Sequence, residues 1–134
     1  TQDWQREIEN RIGKRSIDCI LDFVGGPYIQ KNLRLLARNG RLVQIAFMQG
    51  AKVELDCLPI LTQNLTFTGS MLRPRSSEEK ASIARALHKN VWPLFDAGKL
   101  QVLISAVFEL AEAAQAHTLM ESAAHVGKIV LKVR

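Results

Sequence analysis

The stretch Ile17-Asp18-Cys19-Ile20-Leu21-Asp22-Phe23-Val24 constrains the fold most, because its apolar residues run on with little interruption instead of alternating with polar ones. A strand written this way is covered on both faces, the usual situation in a parallel sheet. Parallel neighbours need a crossover, ordinarily a helix. The flanking sequence supplies that alternation. Asp3 to Ile12 puts Trp4, Ile8 and Ile12 on one helical face, and Gly13 stops the helix. After the strand, Gly25-Gly26-Pro27 breaks the chain, and Pro27 suits a first helical turn, where its missing N–H costs nothing. A helix then runs to about Ala37 with Ile29, Leu33 and Leu36 on one stripe, closed by Asn39-Gly40. Arg41 to Ala46 is a second strand, followed by a loop from Phe47 to Leu55. Asp56 is placed to cap a short helix to about Thr62, and Leu65 to Ser70 is a third strand.

The remainder keeps the rhythm. Ser76 with Glu79 three residues on is a capping box. It opens a long helix expected to turn Ile83, Ala84, Leu87 and Val91 inward, interrupted at Pro93 and ended by Gly98. Val102 to Phe108 is a strand, Ala111 to Glu121 an Ala-rich helix, and Lys128 to Val133 a last strand after Gly127. Strands and helices alternating at this spacing form βαβ units. The fold class is α/β, with a Rossmann-like doubly wound parallel sheet. In such sheets ligands bind at the carboxyl ends of the strands. Three segments lie there: Val24-Gly25-Gly26, Ala46-Phe47-Met48 and Gly69-Ser70-Met71.

Composition narrows the partners. The net charge of +5 comes from 18 Lys and Arg against 13 Asp and Glu. Those cations are scattered, Arg73-Pro74-Arg75 and Arg11 to Arg15 being the densest groups, and no nucleic-acid motif accompanies them. An anionic small molecule fits the charge better than nucleic acid. No apolar run is long enough for a membrane helix, and the polar start is unlike a signal peptide. The two cysteines, Cys19 and Cys57, are expected to be reduced and buried, which suits a cytoplasmic setting.

Several chemistries find no foothold. The 8 glycines include no Gly-x-Gly-x-x-Gly turn, and there is no Walker lysine. His88, His117 and His125 are far apart, so no zinc spacing occurs; His88 suits a solvated helix face, His117 a packed one, and His125 the turn before Gly127. No Ser lies in a nucleophile elbow. Asp22, near the end of the first strand, suits a hydrogen-bonded structural role better than that of a buried acid.

Four blocks, taken in order, resemble one family. Asp18-Cys19-Ile20-Leu21-Asp22-Phe23-Val24-Gly25-Gly26 is similar to the D-V-I-L-D-x-V-G-G strand of zinc-independent quinone oxidoreductases in the medium-chain dehydrogenase/reductase superfamily. Leu36 to Ile45 resembles its L-A-x-x-G-R-L-V-x-I passage, and Thr68 to Ser76 its T-G-S-x-L-R-x-R-S stretch. Glu112 to Leu131 resembles the closing pattern, with Leu119-Met120-Glu121-Ser122 and then Gly127-Lys128-Ile129-Val130-Leu131.

That resemblance implies a C-terminal fragment that lacks the glycine-rich turn and the ribose-reading strand. Residues 1–98 would belong to the NAD(P)-binding domain, and residues 99–134 would return to the catalytic domain. The implied cofactor is NADPH. Val24 and Gly25 would line its adenosine and ribose side, while Ala46, Phe47 and Met48 would approach the nicotinamide half. Gly69, Ser70 and Met71 would flank the nicotinamide, and His125 and Lys128 would bracket a turn reaching the cofactor's far end. The implied activity is hydride transfer to a quinone or activated alkene, with no catalytic side chain in this stretch and no zinc. The alternatives are an enoyl or alkenal reductase of the same superfamily and a non-catalytic α/β binding module. The fragment alone is expected to be inactive and to hold NADPH weakly. A homodimer through the Leu65 to Gly69 edge is also implied.

Overall fold

In the computed structural model, which describes residues 3–134, the chain is mixed α/β with parallel sheets, as its periodicity predicts. It divides into two compact units, one ending at Arg75 and one covering Ser76–Arg134. The second unit begins where a fresh helix starts at Ser76 on its own capping box.

The first unit contains helix α1 (Trp4–Ile12), strand β1 (Ile17–Asp22), α2 (Tyr28–Leu35), β2 (Leu36–Gln44), α3 (Leu58–Gln63) and β3 (Thr66–Gly69). Its three strands are parallel in the order β1-β2-β3. The register sets Ile20 beside Leu42 and Leu42 beside Phe67; it likewise sets Asp22 beside Gln44 and Gln44 beside Gly69. Paired residues share a face, and the next residue along each strand takes the other one. On one face Ile20 and Leu42 pack with Ile29 and Leu33 of α2 and Ile60 of α3, forming the core. The opposite face is open: Leu21 is 61% exposed and Phe23 53%. The expectation of a first strand covered on both faces is therefore corrected, and with it the burial of the thiols. Cys19 and Cys57 are both exposed. The cause is that both connecting helices feed the same core.

The boundaries follow the sequence within a few residues, with one informative difference. Helix α2 ends at Leu35, and extended backbone starts at once with Leu36 instead of after Asn39-Gly40. Asn39 takes a left-handed φ of 65°, and the ladder to β1 is irregular until Cys19 meets Arg41. At the start of α3 the Asp56 carboxylate accepts the Leu58 N–H at 3.0 Å, from one residue ahead of the N-cap, Cys57.

The second unit contains α4 (Ser77–Asn90), α5 (Trp92–Asp96), β4 (Ile104–Glu109), α6 (Ala113–Glu121) and β5 (Lys128–Lys132). β4 and β5 form a parallel pair, giving the expected strand–helix–strand, with a short 3-10 turn at Leu110–Glu112 before α6. The capping box forms: the Glu79 N–H donates to Ser76 Oγ at 3.1 Å, and the Ser76 N–H donates to Glu79 Oε2 at 2.8 Å. The inward stripe of α4 does not. Helix α4 has no buried residue, and Leu87 is 45% exposed. The unit has almost no core to receive it, since Ala116 is the one fully covered hydrophobe among its described residues. His117, expected to pack, is exposed for the same reason. No helix among the described residues is long and apolar enough to cross a membrane.

Candidate functional site

Asp22 closes β1 and organises the turn after it. Its side chain is buried, and Oδ1 accepts the N–H groups of Val24 at 2.6 Å and Gly25 at 3.1 Å. Its Oδ2 accepts from Asn32 Nδ2 of α2 at 3.0 Å. This is the hydrogen-bonded structural role expected of it. The three neutral donors replace water around a carboxylate that would otherwise be costly to bury.

Beyond β1 and β2 the backbone pairing continues. The Ile45 N–H donates to the Asp22 carbonyl at 2.8 Å, Met48 to Phe23 at 3.2 Å and Gln49 to Val24 at 2.7 Å. The Gly26 N–H returns a bond to the Gly50 carbonyl at 2.9 Å. The two loops at these strand ends are therefore one laced structure. It also explains the glycines. Gly25 and Gly26 have φ of +68° and +55°, and a Cβ on Gly26 would lie 2.7 Å from the Gln49 carbonyl oxygen. On Gly25 it would lie 2.8 Å from Phe47 Cδ1. What approaches these glycines in the structure is the neighbouring loop.

A cleft of about 490 Å³ opens between the ends of β2 and β3. Residues 44–47 form one side and residues 67–71 the other. Five of the expected site residues, Ala46, Phe47, Gly69, Ser70 and Met71, line it together. Its surface is mostly apolar through Ile45, Phe47, Phe67 and Met71, with Thr68 and Ser70 as hydroxyl groups. A Cβ on Gly69 would meet only the Gln44 carbonyl oxygen, in ordinary contact at 3.7 Å, so the position is uncrowded. Met48 lies past the lining, 76% exposed and tied by its N–H to Phe23. Val24 and Gly25 stand at the adjoining β1 turn and do not line the cleft. His125 and Lys128 belong to the second unit, where the Lys128 N–H donates to the Leu103 carbonyl and His125 Nδ1 is buried without a partner among the described residues.

Sequence reading passed over Ile45, Phe67 and Thr68, and above all Gln44 and Asn32. A signal was present for the last two. Gln44 sits two residues after Leu42 on the buried side of β2, and Asn32 sits on the Ile29–Leu33 stripe of α2. A polar residue at a core position has a hydrogen-bonding reason.

A family described as zinc-binding dehydrogenase matches residues 1–131. The chain belongs to that family. It lies within the medium-chain dehydrogenase/reductase superfamily that the four motif blocks resemble. Among curated members, quinone oxidoreductase of Sus scrofa is 26% identical over 126 residues, covering 93% of this chain and 36% of the relative. A mycocerosic acid synthase-like polyketide synthase of Mycobacterium tuberculosis is 32% identical over 132 residues, 98% of this chain and 6% of that much longer protein. Among solved structures, the CurK enoyl reductase superposes with a TM-score of 0.72 at 24% identity, covering 98% of this chain and 40% of that one. The chain thus spans about a third of the quinone oxidoreductase it matches. The family's description names zinc, yet no three His, Cys, Asp or Glu side chains among the described residues come together to hold a metal ion.

Proposed function

We propose that this chain carries the nicotinamide-facing part of an NADPH-dependent oxidoreductase of the zinc-independent quinone oxidoreductase branch, acting on a quinone or an activated alkene. The cleft between β2 and β3 carries the reading. It lies at the carboxyl ends of parallel strands, where such sheets take ligands. Its apolar walls suit a flat nicotinamide ring and an aromatic or conjugated acceptor, and Gly69 leaves room for them. When bound, the cofactor supplies a hydride, and solvent supplies the accompanying proton. The chain's own residues position and desolvate: Phe47, Phe67 and Met71 exclude water, and Ser70 offers a hydroxyl at the rim. A relative named as quinone oxidoreductase supports the oxidoreductase part of this reading. Edge strand β3, which pairs with β2 alone in its sheet, is the surface through which we propose two copies pair.

Gly69→Val tests the reading. The added Cβ meets only the Gln44 carbonyl oxygen, in ordinary contact at 3.7 Å, so stability should change by about 0.5 kcal/mol. In the full-length protein, KM for NADPH should rise at least about tenfold with a small quinone and with an enone, the cost of one misplaced contact. Unchanged kinetics with both acceptors would count against the cleft as the cofactor's seat.

A further inference from the structure

Gln44 stands at the centre of the strand ends and has no role in the sequence motifs. Its side chain is buried on the core face of β2, with 5% of its surface exposed. Gln44 Nε2 donates to the Ala46 carbonyl at 2.6 Å and to the Asp22 carbonyl at 3.2 Å. Its backbone carbonyl accepts the Ser70 N–H at 2.9 Å. One residue therefore joins the exits of β1, β2 and β3. Its Oε1 is buried and has no partner among the described residues.

We propose that Gln44 is a positioning residue for the nicotinamide-side wall, acting through Ala46. The argument rests on what the side chain gives and what it lacks. An apolar residue of similar length would pack against Leu42 and remove the unpartnered Oε1, so packing alone gives no reason for glutamine at this position. What only the carboxamide does is hold the Ala46 carbonyl with its second N–H while the first grips β1. That bond fixes the peptide direction where β2 ends and the lining residues Ala46 and Phe47 begin. Asp22 anchors the other side of the same frame, through Val24, Gly25 and Asn32. The ligand consequence rests on the proposed cofactor reading; the mechanical consequence does not.

Gln44→Met keeps length and removes both donors and the orphaned acceptor. Amide exchange by NMR on the 134-residue chain reads the mechanical part. The Met48 and Gln49 amides should exchange about fivefold faster, what one neutral hydrogen bond amounts to, while the Leu21 and Leu42 amides keep their rates. Titration with reduced nicotinamide mononucleotide and, separately, with ADP-ribose reads the ligand part. The mononucleotide should bind about fivefold more weakly than to the parent chain, and ADP-ribose within about twofold. Faster exchange at all four amides together would mean a general loss of stability and would overturn the proposal. So would unchanged exchange at Met48 and Gln49. Local exchange gains with no mononucleotide shift at residues 45–47 or 68–71 in either chain would instead sink the cofactor reading and leave Gln44 as the frame of an apolar cleft with another occupant.

Discussion

Replacing Gly26 by alanine makes two separable demands on the structure. The first is conformational: Gly26 has φ of +55°, and a side chain in the left-handed region costs about 1–2 kcal/mol. Stiffening of the unfolded chain by alanine returns about 0.4–1 kcal/mol of that. The second demand is steric. The new Cβ would lie 2.7 Å from the Gln49 carbonyl oxygen and 3.1 Å from Gln49 Cβ. Neither can retreat freely, because the Gln49 N–H is bonded to Val24 and the Gly26 N–H to Gly50. Overpacking against fixed backbone costs about 1–3 kcal/mol. The expected loss is about 2–4 kcal/mol, a large share of the roughly 5–15 kcal/mol that a domain has. Gly98→Ala is the control. Its φ is nearly the same, +67°, and no atom lies within 4 Å of the added carbon, so it carries only the conformational part. Urea unfolding of single-tryptophan versions separates the two units, with Trp4 following the first and Trp92 the second. If Gly26→Ala costs no more than Gly98→Ala, the close approach of the two loops is not what glycine serves here.

Two further outcomes follow from local geometry. Ser76→Ala removes the acceptor of the Glu79 N–H and half of the capping box, and should cost about 1 kcal/mol in unfolding followed through Trp92. The Asp3 carboxyl is held below its ordinary value of 3.8, chiefly by its hydrogen bond from Lys31, whose charge adds to the effect. A depressed folded-state value means that the contribution is present above 3.8 and disappears as pH falls through the lower folded-state midpoint. Asp3 is fully exposed, so the effect is weak and screened by salt; an NMR titration should show Lys31→Met returning the Asp3 midpoint toward 3.8.

The parts of this fold legible in the sequence were those fixed by local chemistry. The Ser76–Glu79 box and the end of the first strand before Gly25-Gly26-Pro27 depend on a few adjacent residues, and both stand where expected. What the sequence could not show was which partner satisfies a side chain. The continuous apolar run of β1 predicted two covered faces, but α2 and α3 both serve one core, leaving Leu21 and Cys19 uncovered. Helix α4 carries an apolar stripe whose burial depends on long-range packing that periodicity does not encode. The cleft was half legible. Strand ends named Ala46, Phe47, Gly69, Ser70 and Met71, while Gln44 and Asn32 were signalled only as polar residues at core positions, and their partners, the Asp22 carbonyl and carboxylate, came from the structure.

The strand order has a consequence for how the first unit forms. Each strand pairs with the one just before it in the chain, so the ladder β1-β2-β3 grows in the order in which it is synthesised. Each closure spans one helical crossover, from Ile20 to Leu42 and from Leu42 to Phe67, and loop-closure entropy grows only slowly with such a span. A nascent chain can lay β2 against β1 through α2, then β3 against β2 through α3, before residue 76 has left the ribosome. The cleft at the strand exits is then the last part of that sequence to be completed, finished only when residues 67–71 arrive.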